Sequence, residues 1–379
     1  MIPYGRQCIN DEDIKAVVET LRSDWLTTGP KVVEFEEAFS RFVGAKYAIA
    51  VNSGTSALHC AMYALGIVPR DEVVVASMTF AASANCVVYQ GGTPVFADVS
   101  PDTLLIDPQD IERKITPKTK AIIAVDYAGQ PCDYAALKAI ADRHHLSLVA
   151  DACHSLGATY RKNPVGSIAD LSVFSFHPVK HITTGEGGMI TTNNEGFAHR
   201  IRTFRNHGIT SDHRQRESQG SWFYEMVDLG YNYRITDFQC ALGLSQLKML
   251  PVWISKRQEI ALRYNELFKE IDGIEPLEVL PGVSHAYHLY VVRLDERSIG
   301  KSRMEIFHRM RAMGIGVNVH YIPVHMHPFY EKRFGTHKGM CPVAEEAYER
   351  IISLPMFPGL SEMQMNYIIE EMKKISLRG

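Results

Sequence analysis

Short apolar runs alternate with helical patterns between about residues 30 and 200 of this 379-residue chain. The runs lie in AKYAIAVNSG, DEVVVAS, GGTPVFADV, KAIIAVDYAG, LSLVADACHS, LSVFSFH and GGMITTN. Fully apolar strands separated by helices are typical of a parallel sheet that is buried on both faces. We therefore expect an α/β fold whose functional residues lie at the carboxyl ends of the strands.

The pattern changes from roughly Leu250 onward. A long helical stretch, ISKRQEIALRYNELFKEI, precedes alternating strand signals in SHAYHLYVVRL, a helix near SRMEIFHRMRAMG and a terminal helix after Ser361. This order favours a smaller α+β domain. We predict a large domain over residues 1–245 and a small one over residues 246–379, with the N-terminal segment 1–13 packing on the small domain.

A polar stretch with several glycines runs from Asn206 to Tyr233 and includes the charge run His213–Glu217. We interpret it as an exposed loop. Such a loop either reaches a ligand or another subunit, or is simply solvated.

The composition is that of a soluble globular protein, with 46% hydrophobic and 22% charged residues. Lys and Arg number 40 against 43 for Asp and Glu, and the net charge of −3 gives no reason to expect nucleic acid or an anionic membrane as partner. No apolar run is long enough to cross a bilayer, and the start MIPYGRQCIND lacks the pattern of a signal peptide. We expect a cytoplasmic protein.

Cysteine and histidine spacings add two expectations. The seven cysteines are scattered and none stands in a CxxC pair, so we expect no disulfide framework and a reducing compartment. His320, His325 and His327 match no common zinc spacing, so no metal is expected.

The segment Asn52–Ser56 is the first candidate for chemistry, because it follows a predicted strand and opens a helix. Its glycine and hydroxyl residues can present backbone amides and hydroxyls to a phosphate at the positive end of the helix. The alternative is an ordinary helix N-cap, since Ser and Thr are common there.

Asp151 ends the predicted strand LSLVAD. A carboxylate at a buried strand end needs a partner, because an unpaired buried charge costs several kcal/mol. A protonated pyridine nitrogen is one such partner. A structural ion pair or a helix cap is the alternative.

Lys180 lies in SFHPVKHITTGEGG, after a strand and a proline. A desolvated lysine has a lowered pKa and becomes a nucleophile that can form a Schiff base. Ser175, five residues earlier, ends the same strand, where its hydroxyl can reach a phosphate. A surface lysine without function is the alternative, but it leaves the glycines Gly185–Gly188 and the flanking hydroxyls unexplained.

Five separated motifs, in order and spacing, resemble the DegT/DnrJ/StrS family of sugar aminotransferases. They are Asn52–Ser56, Asp151–His154, Ser175–Gly188, Arg205–Gly208 and Gly230–Arg234. The resemblance covers nearly the whole chain. It implies a pyridoxal-phosphate enzyme of fold type I that acts as a homodimer. In that fold a mainly parallel, seven-stranded sheet lies between helices in the large domain.

The resemblance also implies roles for individual residues at the cofactor. Lys180 would hold pyridoxal 5'-phosphate as a Schiff base, and Asp151 would pair with its pyridine nitrogen so that the ring acts as an electron sink. Other residues would contact the ring or the phosphate. Phe80 would stack on the ring, with packing in the core as the alternative, and His154 would contact the ring or its hydroxyl. Gly54, Thr55 and Ser175 would bind the phosphate. Asn232 would reach the phosphate from the neighbouring subunit.

Family members with His in place of this lysine remove a hydroxyl instead of transferring an amino group. The presence of Lys180 therefore favours transamination, with L-glutamate as donor, over a sugar dehydratase. A non-catalytic protein that keeps the fold is disfavoured as well, because Lys180 and Asp151 are both intact.

A closer similarity is to the subgroup that aminates C4 of a UDP-linked 4-keto-6-deoxy sugar in pseudaminic acid biosynthesis. It rests on IPYGRQ, LTTGP, FHPVKHITTGEGG and GVNVHYIPVHMHPFY. It implies a nucleotide-sugar site formed by Tyr4, Leu26, Thr27, Thr28, Gly29, Ser53, Asn318, Val319, His320 and Tyr321. Asn318 departs from the Gln expected in that subgroup, and Tyr4 and Tyr321 can also be packing residues. The alternative is a dTDP- or GDP-linked keto-sugar aminated at C3 or C4.

Overall fold

The computed structural model describes residues 1–211, 213–218 and 220–376, without the side chains of residues 213–215. Within these ranges every helix is too short or too polar to reach across a lipid bilayer.

The helices of the described chain are α1 (Asp11–Leu21), α2 (Pro30–Val43), α3 (Gly54–Leu65), α4 (Ala82–Tyr89), α5 (Pro108–Lys114), α6 (Tyr134–His144), α7 (Glu195–Arg205), α8 (His213–Ser218), α9 (Asp237–Phe268), α10 (Glu296–Ile299), α11 (Arg303–Ala312), α12 (Pro328–Phe334), α13 (Pro342–Arg350) and α14 (Glu362–Ser376). The strands are β1 (Tyr47–Val51), β2 (Glu72–Ala76), β3 (Thr93–Ala97), β4 (Thr119–Val125), β5 (Ser147–Asp151), β6 (Thr159–Tyr160), β7 (Asn163–Pro164), β8 (Leu171–Ser175), β9 (Gly188–Thr192), β10 (Ile274–Pro276), β11 (Val283–Ser284), β12 (Tyr290–Leu294) and β13 (Ile351–Leu354).

A seven-stranded sheet with the order β1-β9-β8-β5-β4-β2-β3 forms the centre of the molecule. Strand β9 is antiparallel to both of its neighbours, and the other pairs are parallel. The prediction of an α/β fold with a mainly parallel sheet is therefore confirmed. Because the parallel strands point the same way, the carboxyl ends of β1, β5 and β8 meet at one edge.

The strands of this sheet are buried because both faces are covered by helices. Strands β1, β4 and β5 are almost fully buried, and α3 packs across β8 and β9. Continuous apolar runs such as Ala121–Val125 suit a sheet without a solvated face.

The C-terminal part carries a second apolar core. An antiparallel sheet, β10-β12-β13, packs with α11 and α14 around buried residues such as Val292, Ile306 and Ile368. Ile2 packs against this core and pairs with Ile315. The packing of the whole segment 1–13 on the small domain stays a prediction. The predicted boundary at residues 245/246 falls inside the long helix α9, so the division into domains stays a prediction.

The stretch predicted as an exposed loop contains a short helix, α8, so that prediction was wrong for residues 213–218. The side chains of residues 213–215 lie outside the described part. Downstream, large apolar side chains are exposed, with Trp222 at 84% and Leu229 at 70%. This apolar exposure directly precedes Asn232.

Candidate active site

Three of the sequence motifs meet where β1, β8 and β9 come together. Gly188 at the start of β9 pairs with Val51 of β1 on one side and with Ser175 of β8 on the other. A Cβ atom on Gly54 would lie 2.9 Å from Ser175 Cβ and 3.4 Å from Cys153 Sγ. Gly54, Cys153 and Ser175 are therefore in contact, and only glycine fits between the helix and the strand end.

The amino end of α3 points at this junction. Ser53 is the N-cap residue, and its hydroxyl accepts a hydrogen bond from Ser56 N at 3.0 Å. The amides of Gly54 and Thr55 belong to the first turn, where the helix itself supplies no acceptor. The N-cap interpretation of the motif therefore holds for Ser53. The first-turn amides lie beside Ser175, and helix N-terminal amides of this kind can bind an anion.

Asp151 ends β5 and is 6% exposed. Its Oδ2 accepts a hydrogen bond from Ser83 Oγ at 2.6 Å, and its Oδ1 accepts one from Cys153 N at 3.2 Å. Among the described residues no cation forms an ion pair with this carboxylate. Lys180 is near enough to interact with it electrostatically but not to form an ion pair. A buried carboxylate without an ion-pair partner fits a protonated pyridine nitrogen, whose charge would balance it.

Lys180 follows β8, and its backbone amide donates to His177 O at 2.9 Å. Burial lowers the pKa of the Lys180 amine below its usual value, while Cys153 and Asp151 act in the opposite direction. Its side chain makes no hydrogen bond or ion pair with the residues described here. An amine in this setting is suited to act as a nucleophile and a proton carrier.

His154 lies one turn beyond Asp151, and its Nε2 is 3.1 Å from the hydroxyl of Tyr321. Burial, and secondly the nearby Lys180, hold the pKa of His154 well below its usual value, so the ring is neutral. Its Nδ1 is buried and has no partner within the described chain. His288 packs on the ring, with centroids 4.3 Å apart.

A group of aromatic rings continues from His154 towards the N-terminal segment. Phe80 is 60% exposed, so it is not the core residue of the alternative interpretation, and its ring lies 6.0 Å from that of Tyr321. The ring centroid of His320 lies 5.0 Å from that of Tyr321 and 5.5 Å from that of Tyr4. The structure thus brings Tyr4 and the segment 318–321 to the side of His154.

The segment 26–29 and Asn232, also predicted as site residues, contact other parts of the structure. Thr27 pairs with Thr236, and Gly29 N donates to Asp237 Oδ2 at 2.7 Å, so the segment 26–29 lies against the start of α9. The carbonyl of Asn232 accepts a hydrogen bond from Asn52 Nδ2 at 3.5 Å. Within the described ranges, neither 26–29 nor Asn232 has a hydrogen bond or ring contact with Lys180, Tyr4 or 318–321.

Sequence reasoning missed the residues that support Asp151 and the aromatic group. Thr79 Oγ1 lies 2.7 Å from Ser83 Oγ and so holds the hydroxyl that donates to Asp151. Tyr127 donates its hydroxyl to the carbonyl of His320. Hydroxyls four residues apart in SMTFAASAN were a usable signal for Thr79 and Ser83. No local signal marked Tyr127 or His288.

The late histidines have separate partners. His320 Nδ1 lies 2.8 Å from Ser353 Oγ, whereas His325 Nε2 lies 2.9 Å from Glu345 Oε1. No group of three or more His, Cys, Asp or Glu side chains in the described part is placed to hold a metal ion.

The chain is similar to known proteins over nearly its whole length. The model of the DegT/DnrJ/EryC1/StrS aminotransferase family matches residues 7–373. The spore coat polysaccharide biosynthesis protein SpsC of Bacillus subtilis is 44% identical over 376 residues, covering 99% of this chain and 97% of SpsC.

Two solved structures share the fold. Spr1654 of Streptococcus pneumoniae, solved in a PMP form and a PLP form, matches in the PMP form with a TM-score of 0.94 at 35% identity over 99% of both chains. PseC of Helicobacter pylori, an aminotransferase involved in the biosynthesis of pseudaminic acid, matches with a TM-score of 0.92 at 35% identity. That match covers 99% of this chain and 98% of PseC.

Proposed function

Because this chain belongs to the DegT/DnrJ/EryC1/StrS aminotransferase family and is a pyridoxal-phosphate-dependent sugar aminotransferase, we propose that it transfers the amino group of L-glutamate to C4 of a UDP-linked 4-keto-6-deoxy sugar. The proposed product is a precursor of pseudaminic acid.

The observation that carries the proposal is the meeting of Lys180, Asp151 and the Gly54–Ser175 contact at one edge of the sheet. Lys180 is the proposed attachment point, and Asp151, which has no ion-pair partner among the described residues, is the proposed partner of the pyridine nitrogen. The first turn of α3 together with Ser175 is the proposed phosphate site. When bound, pyridoxal 5'-phosphate supplies an electron sink that makes the α-hydrogen of an amino acid acidic.

Lys180 is the proposed proton carrier in both halves of the reaction. As a neutral amine it takes the proton from the α-carbon of glutamate, and in the second half it delivers a proton to C4 of the sugar. The lowered pKa of Lys180 suits this role, because a larger fraction of the amine is neutral near physiological pH. His154, held neutral mainly by burial, would contact the cofactor ring, and the hydroxyl of Tyr321 orients His154 through a hydrogen bond of 3.1 Å.

The substrate proposal draws on the group of Tyr4, His320 and Tyr321 and on the likeness to PseC. A second candidate is another nucleotide-linked keto-sugar, dTDP- or GDP-linked and aminated at C3 or C4. Two observations favour it. Asn318 stands where the pseudaminic acid subgroup has Gln, and SpsC, a polysaccharide biosynthesis protein, is 44% identical, against 35% for PseC. No observation favours the sugar dehydratase.

We also propose a homodimer in which Asn232 reaches the phosphate of the partner's cofactor. The exposed apolar side chains between Trp222 and Leu229 support it, because exposed apolar patches of this kind mark interaction surfaces. The cytoplasm remains the proposed location, and the seven free cysteines support it.

A panel of UDP-, dTDP- and GDP-linked keto-sugars, assayed with L-glutamate, tests the substrate. We expect the UDP-linked 4-keto-6-deoxy sugar of L-configuration to have a kcat/KM at least about 10-fold above that of its D-configured epimer, which is about 1.4 kcal/mol of transition-state binding. Equal or reversed preference would remove the pseudaminic acid assignment. Amination of no nucleotide-linked sugar would remove the proposed function.

A further inference from the structure

A cavity of about 120 Å³ lies between Thr28, the helix α7 and the residues 206–211 that follow this helix. We call it the arginine cavity and define it by Thr28, Arg202, Arg205, Thr210, Ser211 and Arg234, which line it. The volume admits several water molecules or a group of similar size. It does not include the lysine or the rings described above.

The charges around the arginine cavity do not cancel. Arg205 is paired with Glu36, at 2.5 Å between Nη1 and Oε1. Arg202 and Arg234 form no ion pair with any described carboxylate. Arg234 donates instead to Asn206 Oδ1 at 2.8 Å, and burial together with the nearby Arg205 lowers the pKa of Arg234. Arg202 is exposed and lies over the ring of Tyr47, 5.9 Å from its centroid. Arg202 and Arg234 thus both lack a carboxylate partner within the described chain.

A hydroxyl in the same wall is also unsatisfied. Ser211 Oγ is buried and has no hydrogen-bond partner among the described residues. A buried polar atom without a partner is uncommon and points to a missing ligand or water. The cavity thus combines an unused hydroxyl with two guanidinium groups, the side chains that best bind phosphate oxygens.

We infer that the arginine cavity binds the diphosphate group of the nucleotide-linked sugar. Its two negative charges match the two guanidinium groups that lack a carboxylate partner. Thr28 belongs to the segment LTTGP, which the family resemblance places at the sugar nucleotide. Arg234 lies two residues from Asn232, the proposed phosphate contact in the partner subunit. The inference rests on the proposed function and names the part of the substrate that this site holds.

The test measures UDP binding to the purified holoenzyme by titration calorimetry, with dTDP and GDP as further probes. We expect Arg202→Gln and Arg234→Gln each to weaken the affinity for UDP at least about 10-fold, because each removes a charge-assisted hydrogen bond. Glutamine at position 234 can still donate to Asn206. Arg200→Gln is the matched control, because Arg200 lies on the same helix and carries the same charge but binds the carbonyl of Tyr63. It should leave the affinity unchanged.

The spectral change of the cofactor on addition of L-glutamate separates this inference from the donor half of the reaction. Loss of that change in Arg202→Gln and Arg234→Gln, with UDP affinity intact, would overturn the inference in favour of a site for the donor carboxylate. Failure of the wild type to bind any of the three nucleotides would overturn it too. Unchanged UDP affinity in both variants overturns only this inference, whereas the proposed function fails only if the keto-sugar panel shows no amination.

Discussion

The hydrogen bond from Ser83 to Asp151 sets how firmly the carboxylate is held. Ser83 receives support in turn from Thr79, so its hydroxyl is directed at Oδ2. Removing one donor from a buried carboxylate costs on the order of 1–3 kcal/mol, since no water replaces it. A residue outside the sequence motifs therefore contributes to the proposed pairing with the pyridine nitrogen.

We predict that Ser83→Ala lowers turnover about 10-fold, because Asp151 becomes free to rotate away from the ring. Asp151→Asn removes the charge itself and should lower turnover by several orders of magnitude, as loss of a central catalytic group does. Ser172→Ala is the control, since Ser172 Oγ is buried and has no partner among the described residues. Similar losses in Ser83→Ala and Ser172→Ala would argue against a role for the Ser83 hydroxyl.

Lys180 should differ from exposed lysines in its reactivity towards acylating reagents. Its pKa is lowered, so the neutral amine, which is the reactive form, accumulates at lower pH. In cofactor-free protein we expect the labelling of Lys180 to rise at lower pH than that of the exposed Lys162. Peptide mapping of the labelled protein measures the two profiles. A profile for Lys180 that lies at or above that of Lys162 would contradict the lowered pKa.

At the scale of elements, the start of α9 also holds the start of α2. Asp237 is fully buried, with Oδ2 accepting from Gly29 N at 2.7 Å and Oδ1 from Lys31 N at 2.9 Å. The helix α2 begins at Pro30, so these amides would otherwise lack acceptors. One side chain thereby fixes the segment 26–29, including Thr28 of the arginine cavity.

Asp237→Ala should lower the free energy of unfolding by about 1–3 kcal/mol, because two amides lose their acceptor in a buried place. Asp237→Asn keeps one acceptor oxygen and should lose less. Urea denaturation of the wild type, Asp237→Ala and Asp237→Asn measures the free energies of unfolding. Asp11→Ala, at an exposed position, is the control. If Asp237→Ala is no less stable than Asp11→Ala, this carboxylate does not hold α2.

At the scale of the whole molecule, the proposed sharing of sites between subunits makes a clear prediction. A mixed dimer of Lys180→Ala and Asn232→Ala chains should regain one active site, because one of its two sites then has both an intact lysine and an intact asparagine. The measurement is turnover after co-expression and purification with two different tags. Each homodimer serves as a control and should have little turnover. If mixing restores none, Asn232 does not act across the interface.

The sequence alone determined the α/β class and the position of the chemical groups along the chain. Runs such as LSLVAD and LSVFSFH predicted buried parallel strands, and Asp151 and Ser175 lie at their ends as expected. These features are local, since a strand that is buried on both faces is mostly apolar, and the functional residues of a parallel sheet lie at the carboxyl ends of its strands. Helix α8 was missed because a short polar helix carries no apolar period.

Only the tertiary structure decided which distant residues meet. Ser83 reaches Asp151 across 68 positions and Tyr321 reaches His154 across 167. The arginine cavity joins Thr28 to Arg202 and Arg234 in the same way, and the expected boundary at residues 245/246 lies inside one continuous helix. Such meetings depend on the order of strands in the sheet and on how helices cross it, which no pattern within a single segment encodes.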